Sequence, residues 1–519
     1  MRKLINIVYT IELVAFVLIA LGVLPRQFAL YLAIGMVIYV LRVPIEEGAT
    51  FFVRSIPFFI ALPITASFDN FNTWRILSII IFIKWIWPKL LGLKYSVIKK
   101  STDYKLQATS WLLLALLGCA MFSIIPAPDK IAAIKRIIYF VNLSLIGIVI
   151  YDIFEGHSSK LTLIKNTTFP VIIVTVIGFI QLASTYFMDI YQFMNLWGEK
   201  IQCNQFGKDW CYIAVWKGNT WLAYYGPQLS LRVFSTFPDS HSFPVFLLLG
   251  LPAVFAIALY KVVEKMSLKQ IIHTRAQMSV LWIPTIFLII ILTGTRGIWA
   301  VSVAVALLAI VVMSYMKWSS VNIHLQSIFK YISFYLVAFF MLFSVAYPIF
   351  VSPQFLLSKG NWALFGNRIK SIVDFGETSN AQRIGIWKAS LESIKKHPLL
   401  GVGIGNYPVV LSQDIKLAKA GSSAHNLYLH IAAEMGIPAL LITLWFFWLL
   451  FQKTYYNFVF SGDNLLKVYY AANLLFIPWV LAYLMTDAAI FDERAFLIFA
   501  TVTAIILSNK KLPSGVRLK

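Results

Sequence analysis

Long apolar blocks, many close to twenty residues, recur along this chain with short basic loops between them. A block of that length is what an α-helix needs to cross the roughly 30 Å hydrocarbon core of a bilayer. Lipid cannot satisfy backbone N–H and C=O groups, so a chain built of such blocks folds as helices that satisfy their own. The composition agrees. Of 519 residues 60% are hydrophobic and 13% are charged, against about 25% charged in soluble domains. The expected fold is all-α: a polytopic transmembrane helix bundle of about 12–14 spans with a large, partly helical extracytoplasmic loop.

Fourteen blocks are candidate spans: 5–24, 28–44, 51–67, 74–93, 106–125, 135–152, 165–184, 242–261, 279–295, 298–316, 327–351, 426–452, 467–486 and 494–508. The first follows Arg2 and Lys3 like a signal peptide, but it has no small-residue cleavage site and reads as an uncleaved helix. Arg42, Glu46 and Glu47 crowd between the second and third, so one early pair is a candidate re-entrant segment. The net charge is +22. Its Lys and Arg are scattered through loops, which disfavours a nucleic-acid partner and fits cytoplasmic retention. Arg2 and Lys3, then Lys94, Lys99, Lys100 and Lys105, then Lys261, Lys265, Lys269 and Arg275, then Lys510, Lys511, Arg517 and Lys519 fall on one side. Lys130, Lys135 and Arg136 run against that scheme.

The expected organisation is 1–184, N-terminal transmembrane helices; 185–241, an extracytoplasmic loop; 242–351, central helices; 352–425, a large extracytoplasmic loop; and 426–519, C-terminal helices with a cytoplasmic tail. Within the large loop, Ile386, Trp387, Leu391 and Ile394 have helical amphipathic spacing. Asn380 or Gln382 is the expected start of that helix and His397-Pro398 its end. Cys203 and Cys211 share one loop, and a disulfide forms there only if the loop is outside the cytoplasm. Cys119 reads as a packing residue.

Four features gather on the extracytoplasmic side: Arg232-Val-Phe-Ser-Thr-Phe-Pro-Asp239-Ser-His241, Arg296 in Thr-Gly-Thr-Arg-Gly, Arg383, and His425-Asn426. One arginine at a bilayer boundary is commonly a snorkelling anchor. Three on the side that the positive-inside bias disfavours fit a diphosphate, whose oxygens match the guanidinium fork. His425 precedes a span, where the helix end favours the neutral, proton-accepting ring; alone, it reads equally as packing. His241 is a second candidate base, and His430 reads as packing. Gly401-Val-Gly-Ile-Gly-Asn406 has no strand before it and reads as a tight turn approaching a ligand or the next helix, not a nucleotide loop. Glu12, Lys84 and Asp487 are charges inside spans and functional candidates by default. No metal-ligand spacing and no Walker loop appears, so no cofactor is expected.

Arg383-Ile-Gly-Ile-Trp387, His397-Pro-Leu-Leu-Gly-Val-Gly-Ile-Gly-Asn406, His425-Asn426 and Glu434-Met-Gly436 together resemble the O-antigen ligase and polymerase family of bacterial cell envelopes. Arg232 ahead of Phe-Pro-Asp and the Thr295-Arg296-Gly297 turn resemble further family motifs. The matching motifs cover about 230–440. The resemblance implies a metal-independent, inverting glycosyltransferase of the bacterial inner membrane. Its donor would be an undecaprenyl diphosphate-linked glycan and its acceptor the hydroxyl of a lipid, glycan or protein. Arg232 and Arg296 would hold the diphosphate, with Arg383 joining them or supporting the loop, and His425 would be the base. Asp239, His241, Asn426 and Glu434 are secondary candidates. A ligase is narrowly preferred; a polysaccharide polymerase or a protein O-glycosylating enzyme shares the motifs. From another class, a transporter or flippase of an anionic lipid-linked substrate also needs cavity arginines, but would show internal repeats and broken helices near the midplane.

Overall fold

The computed structural model describes residues 2–64, 71–91, 108–211, 220–225, 228–263, 276–357, 378–413 and 422–508. The basic loop around Lys94–Lys105, the loop with Lys265, Lys269 and Arg275, the tail from residue 509, and segments 212–219, 358–377 and 414–421 of the two large loops lie outside the described residues.

Each of the fourteen apolar blocks contains a helix. In chain order these are α1 Arg2–Ala20, α2 Phe28–Arg42, α3 Ile45–Ser55, α4 Thr73–Leu90, α5 Ala108–Phe122, α6 Lys130–Ile153, α7 His157–Ser184, α8 Ser242–Val263, α9 Ala276–Leu292, α10 Arg296–Trp318 and α11 Ile323–Val351, followed after the amphipathic α12 Thr378–Lys396 by α13 Leu427–Phe460, α14 Asn464–Tyr483 and α15 Glu493–Leu507. Seven of them are long and apolar enough to cross a membrane: α6, α7, α8, α10, α11, α13 and α14. Shorter apolar helices lie within α1, α2, α5 and α9. The protein is an all-α polytopic bundle. Its only sheet among the described residues is the hairpin β1 Leu222–Tyr225 with β2 Gln228–Leu231, in register Leu222 to Leu231.

A helix that is apolar on every face belongs in the interior. That describes α8, 94% buried along its apolar window, and α14 at 78%; α10 at 33% and α11 at 28% turn most of their surface outward. The contact between α8 and α14 is the most extensive in the bundle, and the start of α8 and the end of α14 lead into the candidate site.

The third block departs from expectation. Its helix has 11 residues, roughly 16 Å at 1.5 Å per residue, and does not cross a bilayer. Beyond it the chain is extended and buried, with Ala61 N–H on Gln205 O (2.8 Å), Thr73 N–H on Ile60 O (3.2 Å) and Arg494 Nη2 on Phe59 O (3.0 Å). Irregular backbone at membrane depth survives only where protein satisfies it, and these partners do. α3 with its extension is therefore the early segment whose geometry fits a re-entrant reading. Lys84 does not snorkel: its Nζ donates to Val40 O (2.7 Å), Leu41 O (2.9 Å) and Val43 O, closing the C-terminal end of α2. Glu12 is buried and accepts from Ser55 Oγ at 2.6 Å. Cys203 and Cys211 form a disulfide with a Cα–Cα distance of 4.8 Å.

The amphipathic helix begins at Thr378, so Asn380 and Gln382 lie inside it rather than capping it. It ends at Lys396, just before His397-Pro398. Ile386 and Ile394 pack on Tyr407, Ala424 and Ala433, whereas Leu391 is exposed at 49%. The helix thus lies on the bundle, on α13.

The glycine-rich turn runs along α13. Val402 N–H reaches Ala433 O and Gly403 N–H reaches Glu434 O, both at 2.9 Å, and Ile437 N–H reaches Pro398 O at 2.8 Å. This pairing needs a break in α13, which Gly436 supplies at φ 85°. A Cβ at Gly436 would run into Leu399 O, and one at Gly401 into the backbone of Glu434. Gly436→Ala is expected to destabilise the protein by about 2 kcal/mol, the cost of a forced left-handed residue, and to lower its melting temperature in detergent. Gly385→Ala, in a helix with nothing near its Cβ, should instead leave the melting temperature unchanged or raise it.

Candidate functional site

His425 sits between two fixed neighbours. Ala424 is buried, its N–H facing His430 Nδ1 at 3.4 Å and its carbonyl accepting from Trp387 Nε1 at 3.0 Å. Asn426 caps α13, its Oδ1 accepting from Tyr428 N (3.0 Å) and Leu429 N (3.1 Å). Between them His425 takes φ 45°, a left-handed conformation unusual for a side-chain-bearing residue and the kind of strain that gathers at functional sites. The start of α13 is tied to the end of α14 by Leu427 N–H on Leu484 O and Tyr428 Oη on Leu481 O, each 2.8 Å. That tie brings His425 beside Asp487.

Asp487 is the hub. Its Oδ2 lies 3.3 Å from His241 Nδ1 and 3.9 Å from His425 Nδ1. His241 Nδ1 is also 2.9 Å from Tyr483 Oη, and His241 Nε2 is 3.5 Å from Arg232 Nη2. The same guanidinium donates through Nε to Thr293 O at 3.2 Å and lies 3.5 Å from Thr295 Oγ1. Thr295 Oγ1 in turn donates to Ser240 O at 2.8 Å. The side chain of His425 is 44% exposed while its Nδ1 is covered, so the Nε2 edge is the one turned to the opening.

Arg232 is placed by the hairpin. Its N–H bonds Trp221 O at 2.7 Å, and Leu231 N–H before it is held by Gln354 Oε1 at 2.7 Å. After it, Gln181 Oε1 accepts from Phe234 N (2.9 Å) and Ser235 N (3.0 Å), while Trp221 stacks on Phe234 at 4.5 Å. Arg296 is the first residue of α10, and the first turn of that helix packs so closely that a Cβ on Gly297 would meet Thr486 Oγ1. Arg383, in α12, is near enough to act electrostatically on Asp487, His241 and Arg232.

The electrostatics divide the groups. Burial lowers Arg232 to about 10, with Tyr483 and Asp487 opposing and Arg296 and Arg383 adding; it remains a cation at neutral pH. Burial also carries His241 down to about 3, against the pull of Asp487. Burial alone would raise Asp487, but His241, His425 and Arg383 outweigh it and hold the carboxyl below the ordinary range. Neutral His241 therefore bonds Tyr483 Oη through Nδ1 while lying beside Asp487, and its Nε2 faces Arg232 Nη2.

Sequence reasoning singled out Arg232, Arg296, Arg383, His241 and His425, and the fold brings them together. The other candidates have structural partners. Asp239 accepts from His241 N (2.8 Å) and Ser242 N (2.7 Å) at the start of α8, and burial raises its carboxyl. Glu434 is buried, accepts from Tyr407 N at 3.0 Å and meets His430 Nε2 at 3.3 Å. His430 stacks on Tyr407 at 4.6 Å, as a packing residue does. Asp487 and Tyr483 were missed as site members. The one sequence signal for Asp487 was a charge in an apolar setting. Among the described residues no three His, Cys, Asp or Glu side chains converge as a metal site.

His241 gives a pH test. Its ring titrates near 6.5 when unfolded and about 3 when folded, so between these values the unfolded chain binds more protons. Stability should therefore fall as pH drops from about 6.5 towards 3. Melting temperatures across that range should show a shallower slope for His241→Gln. An identical slope would refute the neutral assignment.

Residues 281–444, about a third of the chain, match the family model described as O-antigen ligase. No curated protein matches the chain. The matched stretch contains Arg296, Arg383 and His425, and the fold adds Arg232, His241 and Asp487 from outside it. Over residues 281–444 this multi-pass membrane protein is similar to the O-antigen ligase family.

Proposed function

We propose that the protein is a glycosyltransferase of the bacterial inner membrane, moving a glycan from undecaprenyl diphosphate to an acceptor hydroxyl on the extracytoplasmic face. The observation that carries this reading is the meeting of Arg232, His241, His425 and Asp487 at one end of the bundle, with Arg296 and Arg383 acting on the same groups. Loops 185–241 and 352–425 would together form the extracytoplasmic wall of the site.

In this mechanism His425 Nε2 takes the proton of the acceptor hydroxyl. Asp487, on the Nδ1 side, orients the ring and stabilises the imidazolium that forms. The acceptor oxygen attacks the anomeric carbon as its bond to the diphosphate breaks, so the configuration inverts and the diphosphate leaves with the electron pair. Arg232, Arg296 and Arg383 stabilise the charge growing on that leaving group. Arg232 is desolvated and already hydrogen-bonded to Thr293 O, so its position need not reorganise during reaction. A ligase remains the preferred reading over a polymerase or a protein-glycosylating enzyme, and the acceptor decides among them.

The test is transfer in vitro with the purified chain, a defined undecaprenyl diphosphate glycan, and lipid, glycan and peptide acceptors offered in parallel. Expected is metal-independent transfer to one acceptor class. His425→Ala should reduce the rate by about 10²–10⁴-fold, with an unchanged melting temperature. Arg232→Ala should cost about 10²–10³-fold, and Arg232→Lys should recover little of it because the fork is lost. Full activity of His425→Ala would remove it as the base. Absence of transfer to every acceptor, with facilitated lipid movement across vesicles instead, would favour the transporter reading.

A further inference from the structure

Two arginines at the same end of the bundle play no part in the cluster described above. Arg136 belongs to the Lys130–Arg136 run that contradicts the charge pattern of the other short loops. The turn at Gly405 packs on Arg136 Cβ, and Asn406 Oδ1 accepts from Asp129 N at 2.9 Å, so the start of α6 is docked on the glycine-rich turn. The guanidinium of Arg136 lies 4.9 Å from the Phe140 ring, 5.3 Å from Phe491 and 5.4 Å from Tyr139. Arg75, in the first turn of α4, lies 5.5 Å from that same Tyr139 ring and 5.2 Å from Trp74.

Among the described residues neither guanidinium makes a hydrogen bond or ion pair, and Arg75 Nε is covered without a partner. Glu434 feels the charge of Arg136, but the hydrogen bonds of the nearby carboxylates go elsewhere. Glu434 serves Tyr407 N–H and His430. Glu493 accepts from Asn72 Nδ2 (2.7 Å) and Trp74 Nε1 (2.5 Å) and pairs with Arg494 at 3.3 Å. A snorkelling arginine keeps its donors in water; the covered Nε of Arg75 does not.

Phe140 and Phe491, on which Arg136 rests, also line a cavity of about 2410 Å³ walled by parts of α2 to α7 and of α13 to α15, with Arg42, Lys84, Lys89 and Lys453 also in its lining. Small-molecule pockets are about 300–1,000 Å³. Along α13 its wall runs from Leu427 to Tyr456, roughly 40 Å at 1.5 Å per residue. Its lining is mostly apolar, and none of Arg232, Arg296, Arg383, His425 or Asp487 contributes to it. Such a shape suits long hydrocarbon chains, and the Arg136 guanidinium on its Phe140 and Phe491 wall, with Arg75 against the same Tyr139 ring, suits phosphate oxygens.

We propose that Arg75 and Arg136 hold the phosphate of a phosphorylated lipid whose chains occupy this cavity, as a site separate from the Arg232–His425–Asp487 cluster. The inference goes beyond glycan transfer and does not rest on it.

The test uses the full chain in detergent and native mass spectrometry with two probes of identical chains, dioleoyl phosphatidate and dioleoylglycerol. The wild type should retain phosphatidate at least tenfold more than dioleoylglycerol, and added inorganic phosphate should not displace it. Arg75→Gln with Arg136→Gln should lower phosphatidate retention about tenfold; the corresponding double Lys variant should keep part of it. Val141→Trp, which fills the cavity wall, should reduce binding of both lipids. His425→Ala should leave retention unchanged, so failure of the transferase reading is separable from failure of this one. Equal retention of the two probes by the wild type, undiminished phosphatidate in the double Gln variant, displacement by inorganic phosphate, or loss of phosphatidate in His425→Ala would each overturn the proposal.

Discussion

One carboxylate organises the end of this bundle. Asp487 follows α14, the helix most extensively packed on the buried α8, and faces His241 at the start of α8 and His425 ahead of α13. A buried carboxylate without partners would protonate or cost several kcal/mol. Here two imidazoles and a nearby Arg383 keep it ionised. The ends of α8, α13 and α14 are thereby tied by electrostatics as well as by packing, and the Leu427–Leu484 backbone bond fixes the distance over which those electrostatics act.

How much of this the sequence disclosed depended on the range of the interaction. Apolar block length is a local property and located a helix at each of the fourteen blocks. It failed at α3 because an apolar block is also what a buried re-entrant segment looks like; the distant partners of Ala61 N–H and Phe59 O, about 140 and 435 residues away, help separate the two. Arg232, Arg296 and His425 were legible because each lies in a short motif on one side of a charge pattern. Asp487 carried no motif, and its partners lie 62 and 246 residues before it, so no spacing within one helix could link them. Asn426, Asp239 and Glu434 are polar residues close to a site motif, and their side chains hold the backbone that presents it.

The glycine-rich turn shows how that presentation works. Residues 401–406 press against α13 where Gly436 breaks its helical path, and Glu434 and Asn406 pin the turn to Tyr407 and to Asp129 at the head of α6. Because α12 hangs Trp387 on Ala424, the large loop is fastened on both sides of His425. The unusual φ of His425 can persist only inside such an over-determined frame.

A last feature concerns the sign of the site. Arg296 opens α10, Asp239 and His241 precede α8, and His425 precedes α13. Three helix N-termini therefore surround the cluster, and each adds partial positive charge from unpaired N–H groups. Asp239 engages the N–H groups of His241 and Ser242 at one of them, and Asn426 caps another. Against three arginines, the carboxylate among the facing groups is Asp487, itself drawn towards two histidines. A neutral sugar alone has no use for so positive a setting. The charge balance suits an anionic ligand with several oxygens, and in the proposed transfer a diphosphate leaving group would meet it most strongly as its negative charge grows.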